Sequence, residues 1–208
     1  MFFILRHGQT DWNKAQKLQG STDIPLNDQG RAQAVRAAEL LQGHNIGRII
    51  ASPLSRALET AQIVGHALSL SPVIDDRLIE RGFGTFEGLN FAEVDAHRAQ
   101  MGPVMNPEPD LDGKHYPKDA ERLEAVIKRI DAAFDEHMAS GEICLFVFHG
   151  IPFRTVTRRF LGEMHTSPNA APVKFYQDHG VWHMDALDPH NLPITSKAYE
   201  VRSTMGSL

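Results

Sequence analysis

A single cysteine, Cys144, is all the chain has in 208 residues. It cannot close an intramolecular disulfide, so thiol content does not tie the chain to an oxidising compartment. Long apolar runs are missing as well. Met1 to Leu5 is too short for the core of a secretory signal and has no basic segment before it. Ile143 to Phe148 falls far short of the roughly 20 residues that span a bilayer. The expectation is a cytoplasmic protein with no membrane partner. Excess positive charge is also absent: 21 Lys and Arg stand against 26 Asp and Glu, a formal net charge of -5. That balance argues against non-specific binding to nucleic acid. It leaves an anionic small substrate open, since local arginines can hold phosphate inside an acidic protein. Paired cysteines and an HExxH pattern are lacking, and His179 and His183 flank a predicted turn rather than a helix face, which argues against a metal-dependent hydrolase.

What is present is ordinary for a globular chain: 42% hydrophobic and 23% charged residues. The length suits one domain over residues 1–208, with a lid or insertion at about 81–118. Short apolar runs alternate with amphipathic stretches. Phe2 to Leu5, Arg48 to Ala51, Pro72 to Ile74 and Ile143 to Phe148 read as strands. Residues 28–43 read as a helix with Gly43 as its stop, residues 53–68 as a second with Pro53 in its first turn, residues 119–139 as a third with Asp119 as cap, and about 152–161 as a fourth. Val173 to Tyr176 and Val181 to Ala186 read as a closing hairpin around Asp178, His179 and Gly180. Residues 100–118 hold Pro103, Pro107, Pro109 and Pro117 without any period, and read as a surface loop that could cover a site. The tail after Ala198 reads as exposed. Strands alternating with helices predict an α/β fold, three-layer α/β/α, around a mostly parallel sheet. Ligands then bind beyond the carboxyl ends of the strands.

Those ends carry unusual residues. Arg6-His7-Gly8 and His149-Gly150 each follow an apolar run, and the glycine after each histidine lets backbone come close to a ligand. Arg6 places a permanent cation beside a potential nucleophile. Ser52-Pro53-Leu54-Ser55-Arg56 follows another strand and puts Arg56 in the first turn of a helix, where free N–H groups favour an anion.

Together these segments resemble the histidine phosphatase superfamily, the phosphoglycerate-mutase-like family. Arg6 to Thr10, Asn13, Gln19-Gly20, Asp23, Pro25-Leu26-Asn27 and Gly30 are similar to its opening motif. Ser52 to Leu54 with Arg56-Ala57 and Glu59-Thr60 resembles its second motif, and Leu78 to Gly88 its acid-bearing loop. His149-Gly150 resembles its late His-Gly, and Asn169-Ala170 fits before the final strands. The order holds over nearly the whole chain. Two departures bear on the pocket. Phe148 stands where a small hydroxyl residue often precedes the late histidine, and Ala120-Glu121-Arg122 replaces the usual Gly-Glu-Ser.

The resemblance implies a phosphatase that hydrolyses phosphate monoesters through a phosphohistidine on His7, with Glu80 as general acid and then base. Arg6, Arg56, Asn13 and, if protonated, His149 would hold the phosphoryl oxygens, because catalysis of this transfer depends on positioning and charge stabilisation. A bond from the second ring nitrogen of His7 to a backbone carbonyl would fix its tautomer. Burial would raise the Glu80 pKa, and Arg81, if it faced the site, would lower it. Thr10, Gln19, Gly20 and Gly150 are further pocket residues, and Glu87-Gly88 reads as structural. No cofactor and no metal enter this expectation; the partner is a small phosphorylated substrate, and a homodimer stays open. A phosphoglycerate-type mutase and an inactive phosphate-binding module are the alternatives. Hydrolysis is favoured because residues 89–118 carry only Arg98, Lys114 and Lys118 as fixed cations.

Overall fold

The alternation inside the apolar runs decides the layers. In the computed structural model, which describes residues 1–101 and 115–195, strand β1 (Phe2–Arg6) sends Phe2 and Ile4 to one face of the sheet and Phe3 and Leu5 to the other. Strand β4 (Cys144–Phe148) divides likewise, with Cys144, Phe146 and Phe148 opposed to Leu145 and Val147. Strands apolar on both sides need cover on both sides. Helices α5 (Leu123–Met138) and α6 (Gly150–Leu161) supply it on the first face through Val126, Ile130, Phe134, Phe153 and Val156. Helices α2 (Asp28–Leu41) and α3 (Ser55–Leu68) supply it on the second through Ala37, Leu41, Ala61 and Val64. Aromatic packing dominates the first face: Phe134 stacks on Phe146 with ring centroids 4.0 Å apart, and Phe2 on Phe175 at 4.9 Å. Each such buried ring stabilises the fold by roughly 1.5–3 kcal/mol over an exposed one.

The main sheet has six strands in the order β3 (Val73–Ile74), β2 (Arg48–Ala51), β4, β1, β6 (Pro172–Asp178) and β7 (Val181–Ala186). The first four are parallel; β6 runs antiparallel to β1 and β7 antiparallel to β6. The result is a three-layer α/β/α fold with a parallel heart. His179 (φ 48°) and Gly180 (φ 82°) make the left-handed two-residue turn that a tight hairpin needs, and Asp178 ends the strand rather than opening the turn. A separate two-stranded sheet joins β5 (His165–Thr166) to β8 (Ile194–Thr195). Among the described residues no helix is long and apolar enough to cross a membrane.

Several boundaries differ from expectation. Helix α3 starts at Ser55, not Pro53, because the Asp23 carboxylate accepts from both the amide and the hydroxyl of Ser55 and caps the helix from a distant loop. Helix α5 starts at Leu123, and Asp119 does not cap it. The Asp119 carboxylate instead accepts from the Thr85 amide at 3.0 Å and pins a short 3₁₀ turn, Gly84–Phe86. Helix α6 begins at Gly150, two residues early, so His149 occupies its N-cap position. Two short helices were not foreseen, α1 (Asp11–Lys14) and α4 (Phe91–Gln100); both are closed by capping boxes, Thr10 with Asn13 and Asn90 with Glu93. Most of the proline-bearing loop, including Pro103, Pro107 and Pro109, lies outside the described residues, as does the tail after Ala198.

Candidate active site

The site follows from which strands are neighbours. β2, β4 and β1 lie side by side and parallel, with Ala51 opposite Val147 and Arg6 opposite Phe148. The residues just past those ends, Ser52, His149 and His7, are therefore brought together. The His7 and His149 rings lie 5.2 Å apart, and His149 Nε2 is 2.8 Å from Ser52 Oγ.

His7 is 2% exposed. Its backbone is fixed by its amide donating to the Phe148 carbonyl (3.0 Å) and by Asn169 Nδ2 donating to its own carbonyl (2.9 Å). Its Nδ1 lies 2.7 Å from the Gly8 carbonyl, which can only accept, so Nδ1 carries the proton and Nε2 keeps a lone pair. Burial, then the charges of Arg56 and Arg6, hold its pKa well below 6.5 against the pull of the Gly8 carbonyl. Glycine is required at position 8 for a steric reason: a Cβ there would meet the Gly30 carbonyl oxygen at 2.4 Å. This close approach seats the His7 loop on the first turn of α2.

Arg6 and Arg56 line the same cavity as His7. Arg6 Nη1 donates to the Ser167 carbonyl at 2.8 Å. Arg56 is fully buried, not a solvated helix residue, and donates to the carbonyls of Gly20 (2.7 Å) and Thr22 (2.9 Å). Those carbonyls are held in turn by Glu87, whose carboxylate accepts from the amides of Ser21, Thr22 and Phe83 and from the Thr22 hydroxyl. Burial pushes Glu87 up, but these donors outweigh it and lower its pKa. Glu87 is thus built into the loop that shapes the pocket.

Glu80 lines the cavity as well. Its carboxylate accepts from the amides of Gly150 (2.9 Å) and Ile151 (3.2 Å) at the start of α6, and from Arg81 (2.8 Å). Burial pushes its pKa up, and wins over the Arg81 amide, the charges of Arg56 and Arg6, and the Ile151 amide, which all favour the anion. The Arg81 guanidinium lies 4.1 Å from the Tyr116 ring centre, and its Nε donates to the Glu121 carbonyl. Neither Glu80 nor Arg81 is a surface residue.

The turn that presents Glu80 is clamped from behind. Arg129 on α5 donates to the carbonyls of Arg77 (2.6 Å), Ile79 (2.7 Å) and Glu80 (3.2 Å), and Glu121 binds the same guanidinium at 2.8 and 2.9 Å. Nothing in the periodicity of α5 singled out Arg129. Glu121 belongs to the departing Ala120-Glu121-Arg122 segment, and its neighbour Arg122 points outward and pairs with Glu124. Phe148, the other departure, packs edge-on against Phe134 in the core and does not line the cavity. Neither Phe148 nor Arg122 is among the described residues that line the cavity.

The remaining expected residues divide. Asn13, Gln19, Gly20 and Gly150 line a cavity of about 700 Å³ together with Arg6, His7, Arg56 and Glu80. Thr10 is buried behind it, capping α1 and donating to Gln19 Oε1 at 2.9 Å. His149 is fully buried, and burial first, then Arg56, His7, Arg6 and Arg129, lowers its pKa well below 6.5. That lowering favours the neutral ring. Ser52 Oγ accepts from the Leu54 amide (3.4 Å) and lies within hydrogen-bond distance of His149 Nε2. His149 Nδ1 has no hydrogen-bond partner among the described residues. Ser52, Thr60 and Asn169 were visible only as motif positions. Thr60 joins α3 to the nucleophile loop, donating to the Arg56 carbonyl and accepting from the Gly8 amide.

This sheet order, with histidines at two adjacent strand ends, defines a phosphoglycerate-mutase-like α/β protein. The chain belongs to the histidine phosphatase superfamily (branch 1), whose family model matches residues 2–186. It is 36% identical over 163 residues to phosphoglycerate mutase-like protein 4 of Arabidopsis thaliana, covering 75% of this chain and 69% of that protein. It is 31% identical over 162 residues to a probable phosphoglycerate mutase, GpmB, of Yersinia pestis, covering 77% and 74%. A mycobacterial glucosyl-3-phosphoglycerate phosphatase superposes with a TM-score of 0.74 at 28% identity, covering 88% of this chain and 96% of that one. Phosphatases and mutases thus both stand among its relatives.

Proposed function

We propose that the protein is a phosphatase that hydrolyses small phosphate monoesters by way of a phosphohistidine on His7. The observation that carries this reading is the 2.7 Å contact between His7 Nδ1 and the Gly8 carbonyl, which leaves a neutral ring with Nε2 as its nucleophilic atom. Arg6 and Arg56 bind the phosphoryl oxygens, joined by Asn13 and His149. Nε2 attacks phosphorus as the P–O bond to the alcohol breaks, and protonated Glu80 gives its proton to the departing oxygen. Water then attacks phospho-His7. Glu80, now a carboxylate, takes a proton from that water, and orthophosphate leaves with Nε2 restored.

Hydrolysis is favoured over return of the phosphoryl group to substrate. Arg98, one of the few fixed cations in residues 89–118, lies 5.3 Å from the Tyr116 ring centre instead of lining the cavity. The test is hydrolysis of an aryl phosphate in the presence of a chelator, beside the His7→Ala variant and a phosphoglycerate isomerisation assay. Hydrolysis that survives chelation and is lost with His7 supports the reading. Isomerisation without hydrolysis would replace it by a mutase, and activity that survives His7→Ala would remove His7 from the chemistry.

A further inference from the structure

Three consecutive carbonyls of the nucleophile loop, those of Arg6, His7 and Gly8, are bonded by one dipeptide, Asn169-Ala170. The Ala170 amide donates to the Arg6 carbonyl at 2.9 Å and to the His7 carbonyl at 3.3 Å. Asn169 Nδ2 donates to the His7 carbonyl at 2.9 Å and lies 3.4 Å from the Gly8 carbonyl. The sheet order explains the meeting. Strand β6 begins at Pro172 and runs antiparallel to β1, with Pro172 opposite Leu5, so residues just before β6 lie beside those just after β1. Ala170 reaches this geometry at a φ of 51°, in the left-handed region that a residue with a Cβ disfavours. Its methyl is buried in the apolar cluster of Phe3 and Leu5.

The same carboxamide reaches a second site residue. Asn169 Nδ2 lies 3.4 Å from Asn13 Oδ1, which also accepts the Thr10 amide at 3.1 Å. The Thr10 hydroxyl has one proton, and its shorter contact is to Gln19 Oε1, at 2.9 Å against 3.1 Å to Asn13. A backbone N–H can only donate, so Asn13 turns its oxygen toward Thr10 and Asn169. Its own amide donor, Nδ2, then has no hydrogen bond among the described residues, on a side chain that lines the cavity with His7. Asn169 itself does not line that cavity.

We infer that Asn169 is a positioning residue for phosphoryl transfer. Its one NH₂ group fixes the backbone that aims the His7 ring and turns the Asn13 donor toward the phosphoryl oxygens. The inference rests on the phosphohistidine reading of the same site. The Gly8 carbonyl is the link: it accepts from His7 Nδ1 at 2.7 Å, so a rotation of that peptide would remove the bond that sets the ring's tautomer and direction. Misplacing a reacting group by about 1 Å costs on the order of 10²-fold in rate.

Two variants separate donation from packing. Asn169→Asp keeps the shape but, once ionised, can only accept; Asn169→Ala removes the group and adds no charge. On p-nitrophenyl phosphate at neutral pH each should lower kcat/KM about 100-fold. The ratio of wild type to Asn169→Asp should shrink as pH falls, because a protonated carboxyl regains one donor, while the ratio to Asn169→Ala should stay constant. In an Asn13→Ala background either substitution should cost several-fold less, since part of its effect passes through Asn13. A readout independent of turnover is the His7 Nδ1 proton, followed by ¹H–¹⁵N NMR: its exchange with water should be about tenfold faster in both variants. Should Asn169→Asp fail to fold, Asn169→Ala carries the test through the Asn13 cycle and the proton exchange. A folded Asn169→Ala as active as wild type, with the His7 proton equally protected, would overturn the inference and leave the phosphatase intact. So would a loss in both variants that neither the Asn13→Ala background nor proton exchange reflects. A wild-type protein that releases no phosphate would instead overturn the phosphatase reading, and the His7 proton would still decide whether Asn169 places the ring.

Discussion

The Glu80 carboxylate accepts the Gly150 amide at 2.9 Å, so the acid is fastened to the first turn of the helix that follows His149. Two segments 70 residues apart in the chain thereby set one distance in the site. The helix start favours the carboxylate, burial favours the acid, and burial prevails. The balance of these two effects raises the Glu80 pKa, the direction that the proposed role of proton donor requires.

Glu80→Gln should lower kcat/KM on alkyl phosphates by about 10²–10⁴, the usual worth of a general acid. The loss should be far smaller on p-nitrophenyl phosphate, whose leaving group needs no proton. Measuring both esters checks this. Equal losses would mean that Glu80 positions the site and does not protonate.

The pH profile has a definite sign. His7 must be neutral, so kcat/KM should rise with pH through a His7 pKa that burial, Arg56 and Arg6 hold well below 6.5. Glu80 must be protonated, so kcat/KM on an alkyl phosphate should fall as pH passes its raised pKa. The falling limb should vanish in Glu80→Gln while the rising limb stays. A falling limb unchanged in that variant would assign it to another group.

Much of this was legible beforehand, for a physical reason. Strands buried on both faces write themselves as apolar runs, as Phe2 to Leu5 and Cys144 to Phe148 do, and residues just past such runs sit where ligands bind. His7, Arg56 and His149 were found that way, with the motif order joining them to Glu80. What was hidden depends on contacts between distant segments. Asp23 capping α3 and Arg129 bonding three carbonyls leave no periodic trace. The lowered His149 pKa likewise comes from burial first and then from Arg56, His7, Arg6 and Arg129, which distant segments bring around it.

Arg129 touches no substrate and acts by holding the turn that presents Glu80. Arg129→Met should lower kcat about tenfold on alkyl phosphates, leave KM within about twofold, and displace the falling pH limb, since a loosened Glu80 is better hydrated. Arg129→Lys should not restore it, because one ammonium cannot span three carbonyls and the Glu121 carboxylate. A fall in thermal stability with an unshifted pH limb would reduce Arg129 to a packing residue.

Asp75 ties stability to pH at the root of the same turn. Burial pushes its carboxyl up, but the Arg77 side chain and amide and His137 outweigh that and bring it from 3.8 to about 2. A depressed carboxyl stabilises the fold above its unfolded value, and that contribution is lost as pH falls from about 4 toward about 2. Asp75→Asn should lower the melting temperature at neutral pH and flatten its decline over that acid range. An equally steep decline in the variant would place the acid sensitivity elsewhere.

The central claim is a phosphoryl group on His7 Nε2, and trapping it is the most direct test. Enzyme mixed with labelled substrate and quenched in base within milliseconds should carry one phosphoryl group per chain on the peptide containing His7, stable to base and lost in acid. Glu80→Gln should accumulate more of it, because dephosphorylation by water then lacks its base, and His7→Ala should carry none. Rapid turnover with no labelled peptide, or label on any other residue, would contradict the account.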